Sequence, residues 1–446
     1  MQFPYAEVEI ESTGAVHDES QQRAAVELVA ASRATDVLVL CHGWNNDIPQ
    51  ARRLYERLTD SLTAVRPAVP GAASRTLAVV GALWPSIRWS DEDEVAGGGA
   101  GVADEATTLA EAITTRIEDP VRATLLTALV PRLAESAEAR REFLDTLRKQ
   151  IPAVPVEPAP AGTAVDEDPP PRALLDGDPE EVFPAAGGPE FDAGLPVWPG
   201  GAAGLGPGGA AGLGPGGAAG LGPDGGAAWL GLDFGGVLRQ ARGLLNVTTY
   251  YTMKDRAGKV GAGGVATLLA GLARAAPAVR LHLAGHSFGA RVLAAAAARH
   301  RGLHSCTLLQ GAFSHHAFAA NFNDRGDDGL FRPVLADRHL SGPMLITHTV
   351  NDRAVGLAYA AASRLARQVG AGLGDANDPY GGIGRNGALK TPEVAQPGVD
   401  LLEVGAGYRF QPGRVHNLKA DRFVSSHGDV SGGEVAYALC CAICSQ

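Results

Sequence analysis

Val279-Arg-Leu-His-Leu-Ala-Gly-His-Ser-Phe-Gly-Ala-Arg-Val-Leu-Ala-Ala-Ala-Ala-Ala-Arg-His300 runs from an apolar segment through a Gly-rich turn into an alanine-rich one. Val279 to Ala284 is an apolar run with the length and branching of a buried strand. Gly285-His286-Ser287-Phe288-Gly289 follows, and Ala290 to Ala298 is rich in the best helix former. In a chain with 58 glycines, G-x-S-x-G alone is weak evidence. Between a strand and a helix it reads as a nucleophile elbow, a sharp turn that lifts a serine oxygen out of a sheet. Gly285 and Gly289 shape the turn, because a Cβ at either position strikes the neighbouring strand or helix. The bland alternative is a Gly-rich strand–helix turn with a surface serine.

Upstream, Tyr5 to Ile10 alternates like an edge strand, and Glu19 to Ser32 has helical spacing. Asp36-Val-Leu-Val-Leu-Cys41 is a buried strand that runs into His42-Gly43-Trp44-Asn45-Asn46. Pro49 to Arg66 is an amphipathic helix with proline suitably placed in its first turn. Leu77 to Leu83 is a further buried strand, ending at Trp84-Pro85-Ser86. This β–α–β–α–β alternation predicts a parallel sheet with helices on both faces. The pattern breaks at 91–99. Residues 104–117 and 120–150 read as amphipathic helices of an insert. Residues 152–199 carry ten acidic residues and one arginine, Arg172. From Gly200, Gly-Gly-Ala-Ala-Gly-Leu-Gly-Pro occurs three times, ending at Pro223. One leucine per unit is too little to stack as a solenoid, so 152–228 is expected to be a low-complexity linker. The expected division is therefore a core of 1–90 and 246–446, a helical insert (a cap) at 91–151, the linker, and a returning helix at 229–245.

Past the linker, Leu238 to Tyr251 and Gly264 to Ala275 read as helices. Ser305 to Gln310, Pro343 to Val350 and Val399 to Val404 read as strands, and Ala354 to Val369 and Glu434 to Cys444 as helices. Setting aside about 155 residues (91–245) leaves roughly 290, the size of one large α/β domain.

A serine hydroxyl becomes a nucleophile when a base, normally a histidine oriented by a carboxylate, takes its proton. On an α/β-hydrolase sheet the order is Ser, acid, His. Asp352 stands two residues after the strand ending at Val350, the place for the acid; the competing reading is a cap for the helix that begins at Ala354. His427 follows the last expected strand and precedes the last helix, the place for the base. Its rivals are His348, read as a packed strand residue, and His416. Two N–H groups should hold the oxyanion. Phe288 supplies one, and Trp44, after the turn at His42 and Gly43, supplies the other.

At this point the chain resembles an esterase-like family of α/β-hydrolases. The resemblance lies in His42-Gly43-Trp44-Asn45, Trp84-Pro85-Ser86, a Tyr-x-x-x-Asp segment from Tyr251 to Asp255, and His286-Ser287-Phe288-Gly289. It covers roughly 36–90 and 246–312 and implies a serine hydrolase with Ser287 as nucleophile. Residues 313–446 match only in the order of acid and histidine. The long insert between Ser86 and Tyr251, where a short connection is expected, is the departure from the family.

Other features narrow the classes. The net charge of −11 is concentrated in the acidic segment, and no basic stripe suits nucleic acid. Five cysteines without a framework speak against a disulfide scaffold. Cys440, Cys441 and Cys444 read as packed thiols ahead of a zinc site, and Arg325 and Arg332 spoil a calcium-loop reading of Asn321 to Gly329. His315-His316 reads as a pocket wall or surface pair ahead of a substrate contact. No signal peptide or stretch of 18 apolar residues is present, so a cytoplasmic protein without an integral membrane segment is expected. The expectation is a serine hydrolase acting on a small-molecule or lipid-like ester, with no cofactor and no metal; oligomeric state is not legible. Thioesterase or peptidase chemistry on the same residues, and a non-catalytic binding module with this fold, are the alternatives.

Overall fold

The computed structural model describes residues 2–44, 46–86, 102–151, 164–166, 175–187, 234–355 and 380–445. Eight strands form one sheet: β1 (Tyr5–Glu9), β2 (Asp36–Cys41), β3 (Leu77–Leu83), β5 (Arg280–His286), β6 (Ser305–Leu309), β8 (Met344–His348), β9 (Val399–Asp400) and β10 (Val415–Lys419). Their order is β1-β3-β2-β5-β6-β8-β10-β9, and every described pairing is parallel. β2 and β3 are buried along their whole length, the condition under which parallel strands read as unbroken apolar runs.

Helices cover both faces. One face carries α1 (Glu19–Ser32), the long α7 (Phe234–Val260), α8 (Ala266–Ala275) and the elbow helix α9 (Phe288–Arg299). The other carries α2 (Ile48–Val65) and α12 (Gly433–Cys444). α2 begins at a capping box between Asp47 and Gln50, which satisfies N–H groups the helix cannot. Chain connections leave β2 toward β3 on one side, and leave β5, the strand on its other side, in the opposite direction. The carboxyl ends of β2 and β5 therefore form a topological switch point, where open α/β sheets place their ligands.

Three differences from the sequence reading stand out. The two helices expected at 238–251 and 264–275 are nearly one rod, because α7 and α8 are joined by a π-helical turn, Gly261–Val265. Its glycines are required by close approach. A Cβ on Gly261 would lie 2.0 Å from Val292 O of the elbow helix, and one on Gly263 2.5 Å from Gly14 O. The strand expected at 399–404 is only two residues long, and β10, whose Arg-Val-His-Asn-Leu-Lys sequence hides it, pairs with β8 instead. The expected linker also carries structure. Residues 175–187 contain α6 (Pro179–Ala185), which buries Leu175, Val182 and Phe183 against the insert. Ala164–Val165 (β4) pairs with Asp328–Gly329 (β7), and Asp166 receives Lys254 and Arg291. The flexible-linker expectation is thus corrected for 164–166 and 175–187. The remainder of the linker, residues 229–233, Asn45 and most of the helix expected at 354–369 lie outside the described residues.

The insert is built from α3 (Val102–Arg116), α4 (Pro120–Leu129), α5 (Ala137–Arg148) and α6, packed on the first half of α7. Asp119, Ser136 and Asp178 cap α4, α5 and α6. Phe143 and Phe183, both buried, meet with ring centroids 6.1 Å apart. Arg256 on α7 ties the insert to the sheet: it donates to Pro85 O at 2.8 Å and to Glu118 Oε1 at 2.5 Å. Among the described residues, no helix is long and apolar enough to cross a membrane.

Candidate active site

The strand–turn–helix around Ser287 has the geometry its glycines require. Ser287 adopts φ 58° and ψ −123°, a conformation that costs an L-residue roughly 1–3 kcal/mol and persists only when its surroundings hold it. Here they do. Ser287 N–H donates to Leu309 O at 3.0 Å, and Ser287 O accepts from Ala290 N–H and Ala312 N–H at 3.1 and 3.2 Å. A Cβ on Gly285 would lie 2.5 Å from Gly289 O, and one on Gly289 would lie 2.2 Å from Cys41 O. The two glycines therefore let the elbow helix sit directly on its own strand and on the end of β2. Ser287 Oγ is buried and makes no hydrogen bond among the described residues.

Asp352 and His427 meet although 75 residues separate them. His427 Nδ1–H donates to Asp352 Oδ2 at 2.7 Å. That contact puts the ring proton on Nδ1 and leaves Nε2 as the basic nitrogen. Asp352 Oδ1 accepts from Val355 N–H at 2.9 Å. One oxygen of the Asp352 carboxylate thus meets His427 and the other meets the Val355 N–H. Asp352 is 0% and His427 4% exposed. Their loops are pinned together. Asp421 Oδ1 accepts from Thr349 Oγ1 at 2.8 Å and from Val350 N–H at 3.1 Å, while Asn351 Nδ2 donates to Asp421 O and Val424 O. Within the histidine loop, Ser425 donates to Asp429 Oδ2 through both its N–H and its hydroxyl.

His286 joins the two halves of the site. Its Nε2–H donates to His427 O at 2.9 Å, and the two rings lie 4.8 Å apart. The base loop thus docks on the residue before Ser287. Burial and the neighbouring His427 push His286 down to about 3, so it is neutral. Of the rivals of His427, His416 is in β10, accepting from Gln411 N–H, and His348 is the last residue of β8.

The loop after β2 presses against the serine. A Cβ on Gly43 would lie 2.8 Å from Ser287 Cβ and 3.1 Å from His286 Nδ1. Trp44 and Phe288 meet with ring centroids 5.8 Å apart. Phe288 is the first residue of α9, so its N–H has no intrahelical acceptor. His42 holds this loop from beneath. Its Nδ1–H donates to Gly43 O at 2.9 Å, its Nε2 accepts from Trp84 N–H at 3.2 Å, and its own carbonyl accepts from Trp84 Nε1 at 2.9 Å. Tyr55 OH accepts from His42 N–H and donates to Ala82 O. Ser86 Oγ accepts from Asn46 N–H and donates to Asn46 O. Burial pushes His42 down to about 4, in keeping with a neutral ring that both donates and accepts. Trp84-Pro85-Ser86 thus braces the His42–Trp44 loop. Sequence reading linked the two motifs only through the family resemblance and assigned no task to His286, Asn46, Tyr55 or Asp421.

A hydrogen-bonded Ser–His–Asp row lies at the opposite end of the sheet. Ser305 Oγ is 2.7 Å from His282 Nδ1, and His282 Nε2 is 2.9 Å from Asp36 Oδ1, with Arg75 also on Asp36. All three are 0% exposed, and Ser305 lies in a regular strand. Each polar atom is answered by the next, as buried polar groups must be, so this row ties β2, β5 and β6 together. The rings of His315 and His316 lie 4.1 Å apart and tilted by 59°, with His315 Nδ1 accepting from Asn386 Nδ2. Cys440 is buried and Cys441 and Cys444 are half-buried on α12. A cleft of about 540 Å³ between α3 and α4 is lined by insert residues and contains none of the predicted site residues.

Compared with protein-family models, with curated proteins and with solved structures, the chain matches none.

Proposed function

We propose that the chain is a serine hydrolase of the α/β-hydrolase class that cleaves a carboxylic ester. What supports this reading is the pairing of His427 with Asp352 and the docking of His427 on His286, the residue before Ser287. The serine is on a strained elbow, the base is oriented by a buried carboxylate, and the two loops are joined through His286.

Ser287 Oγ attacks the carbonyl carbon as His427 Nε2 takes its proton. Asp352 stabilises the resulting imidazolium. The negative oxygen faces the N–H groups of Phe288 and Trp44, at the positive end of the elbow helix. Collapse returns the proton from His427 to the departing alcohol. Water then attacks the acyl-enzyme by the same route in reverse. No metal or organic group takes part in any of these steps.

The helices of the insert serve as a cap in this reading. What supports it is the tether of Arg256 to Glu118 and Pro85, which places the insert beside the loop that braces His42. The deep burial of Ser287 is in keeping with a covered site.

The test is hydrolysis of p-nitrophenyl esters of increasing acyl length by wild type and Ser287→Ala. Wild type should turn over at least one chain length, and the variant should lose that activity. If folded wild type acts no faster than buffer, or the variant retains its rate, the reading is wrong.

A further inference from the structure

We infer that His286 is a positioning residue for His427, holding the base through its main-chain carbonyl. The inference rests on the serine-hydrolase reading above and assigns a task to a residue that touches neither the bond broken nor the proton transferred.

His286 is the last residue of β5, whose neighbours β2 and β6 are both paired to it. His427 lies between β10 and α12 in a stretch with no regular secondary structure. A loop residue must be held at more than one point to keep its ring within the angle that proton transfer tolerates. Asp352 holds the ring at Nδ1. His286 Nε2–H holds the backbone of the same residue at 2.9 Å, and the ring contact of 4.8 Å limits tilt. The two anchors come from different elements, so neither substitutes for the other.

The far side of the His286 ring is closed as well. Gly43 lies against His286 Nδ1 and Ser287 Cβ together, which prevents the imidazole from swinging away from His427. Nδ1 is buried and makes no hydrogen bond among the described residues. A neutral imidazole carries one ring proton, and Nε2 is where it is used. His286 thereby couples three parts: the elbow, the oxyanion loop and the base.

Reach provides the test. A glutamine amide nitrogen can occupy the place of a histidine Nε2, whereas an asparagine amide reaches only the place of Nδ1. The variants His286→Gln and His286→Asn are polar, smaller than histidine, and differ in whether they reach His427 O. The readout is the rate of fluorophosphonate labelling, resolved into maximal rate and half-saturating concentration, each well below the variant's melting temperature. His286→Gln should label within about threefold of wild type. His286→Asn should be slower by about tenfold or more, with the loss in the maximal rate. Equal rates for the Asn variant and wild type, or equal slowing of both variants, would overturn the inference. Failure of wild type itself to label would instead overturn the serine-hydrolase reading on which it rests.

Discussion

Gly43 is the residue on which the site is most finely balanced. Its missing Cβ is the space in which Ser287 and His286 meet the loop after β2. Gly43→Ala should therefore displace Trp44 and the serine and lower the ester rate on the order of 100-fold, while melting within a few degrees of wild type. A variant with an undiminished rate would show that the loop lies farther from the nucleophile. Asp352→Asn removes the charge that stabilises protonated His427 and favours the wrong tautomer. The rate should fall by about 10⁴-fold, measured as ester hydrolysis with intact circular dichroism. Ser287 and Asp352 stand out in the sequence because each closely follows a strand, where periodicity stops and a short polar motif begins, and His427 because it precedes the last helix. His286 is not legible: its partner is a backbone carbonyl 141 residues away, and no side-chain pattern reports a carbonyl. Asp421 escapes for the same reason, since its contacts are set by how two loops pack.

At the scale of elements, the strongly periodic segments are legible to within a residue or two. Glu19–Ser32, Asp36–Cys41 and Leu77–Leu83 occupy the bounds their apolar spacing indicates. β10 is hidden because only Val415 and Leu418 of its five residues are large apolar groups, and it is recognised as a strand through pairing with β8. The π-helical turn is hidden because Gly-Ala-Gly-Gly suggests a helix break by propensity, while packing against Val292 and Gly14 keeps the chain helical. Composition likewise conceals α6, whose seven residues lie in an acidic, proline-rich stretch but bury Phe183 against Phe143. Phe183→Ala should lower stability by about 3–5 kcal/mol if the insert and core unfold together, read as a shift of the thermal midpoint. An unchanged midpoint would show that α6 does not dock. Deleting 175–187 should cost at least as much.

The whole molecule stores neutral histidines in its interior, and this sets its response to acid. Burial lowers His42 to about 4 and His286 to about 3, against about 6.5 in the unfolded chain. Between those values the unfolded state binds more protons, so stability rises with pH and is lost progressively as pH falls below about 6.5. For His42 alone the effect is about 3 kcal/mol once pH reaches its folded value. Melting temperature should therefore drop between pH 7 and pH 4, and His286→Gln should make the drop shallower. A midpoint that is flat over that range would contradict the neutral, buried assignment. Two helical faces and a parallel sheet bring the ends of β2, β5, β8 and β10 to one edge, and the account of function depends on that edge. In the proposed function Ser287 is a nucleophile activated there. The most direct measurement is intact-protein and peptide mass spectrometry after exposure to a fluorophosphonate. One adduct per chain is expected on the peptide containing Ser287, lost in Ser287→Ala and strongly slowed in Asp352→Asn. No adduct on folded wild type, or an adduct that persists in Ser287→Ala, would contradict it.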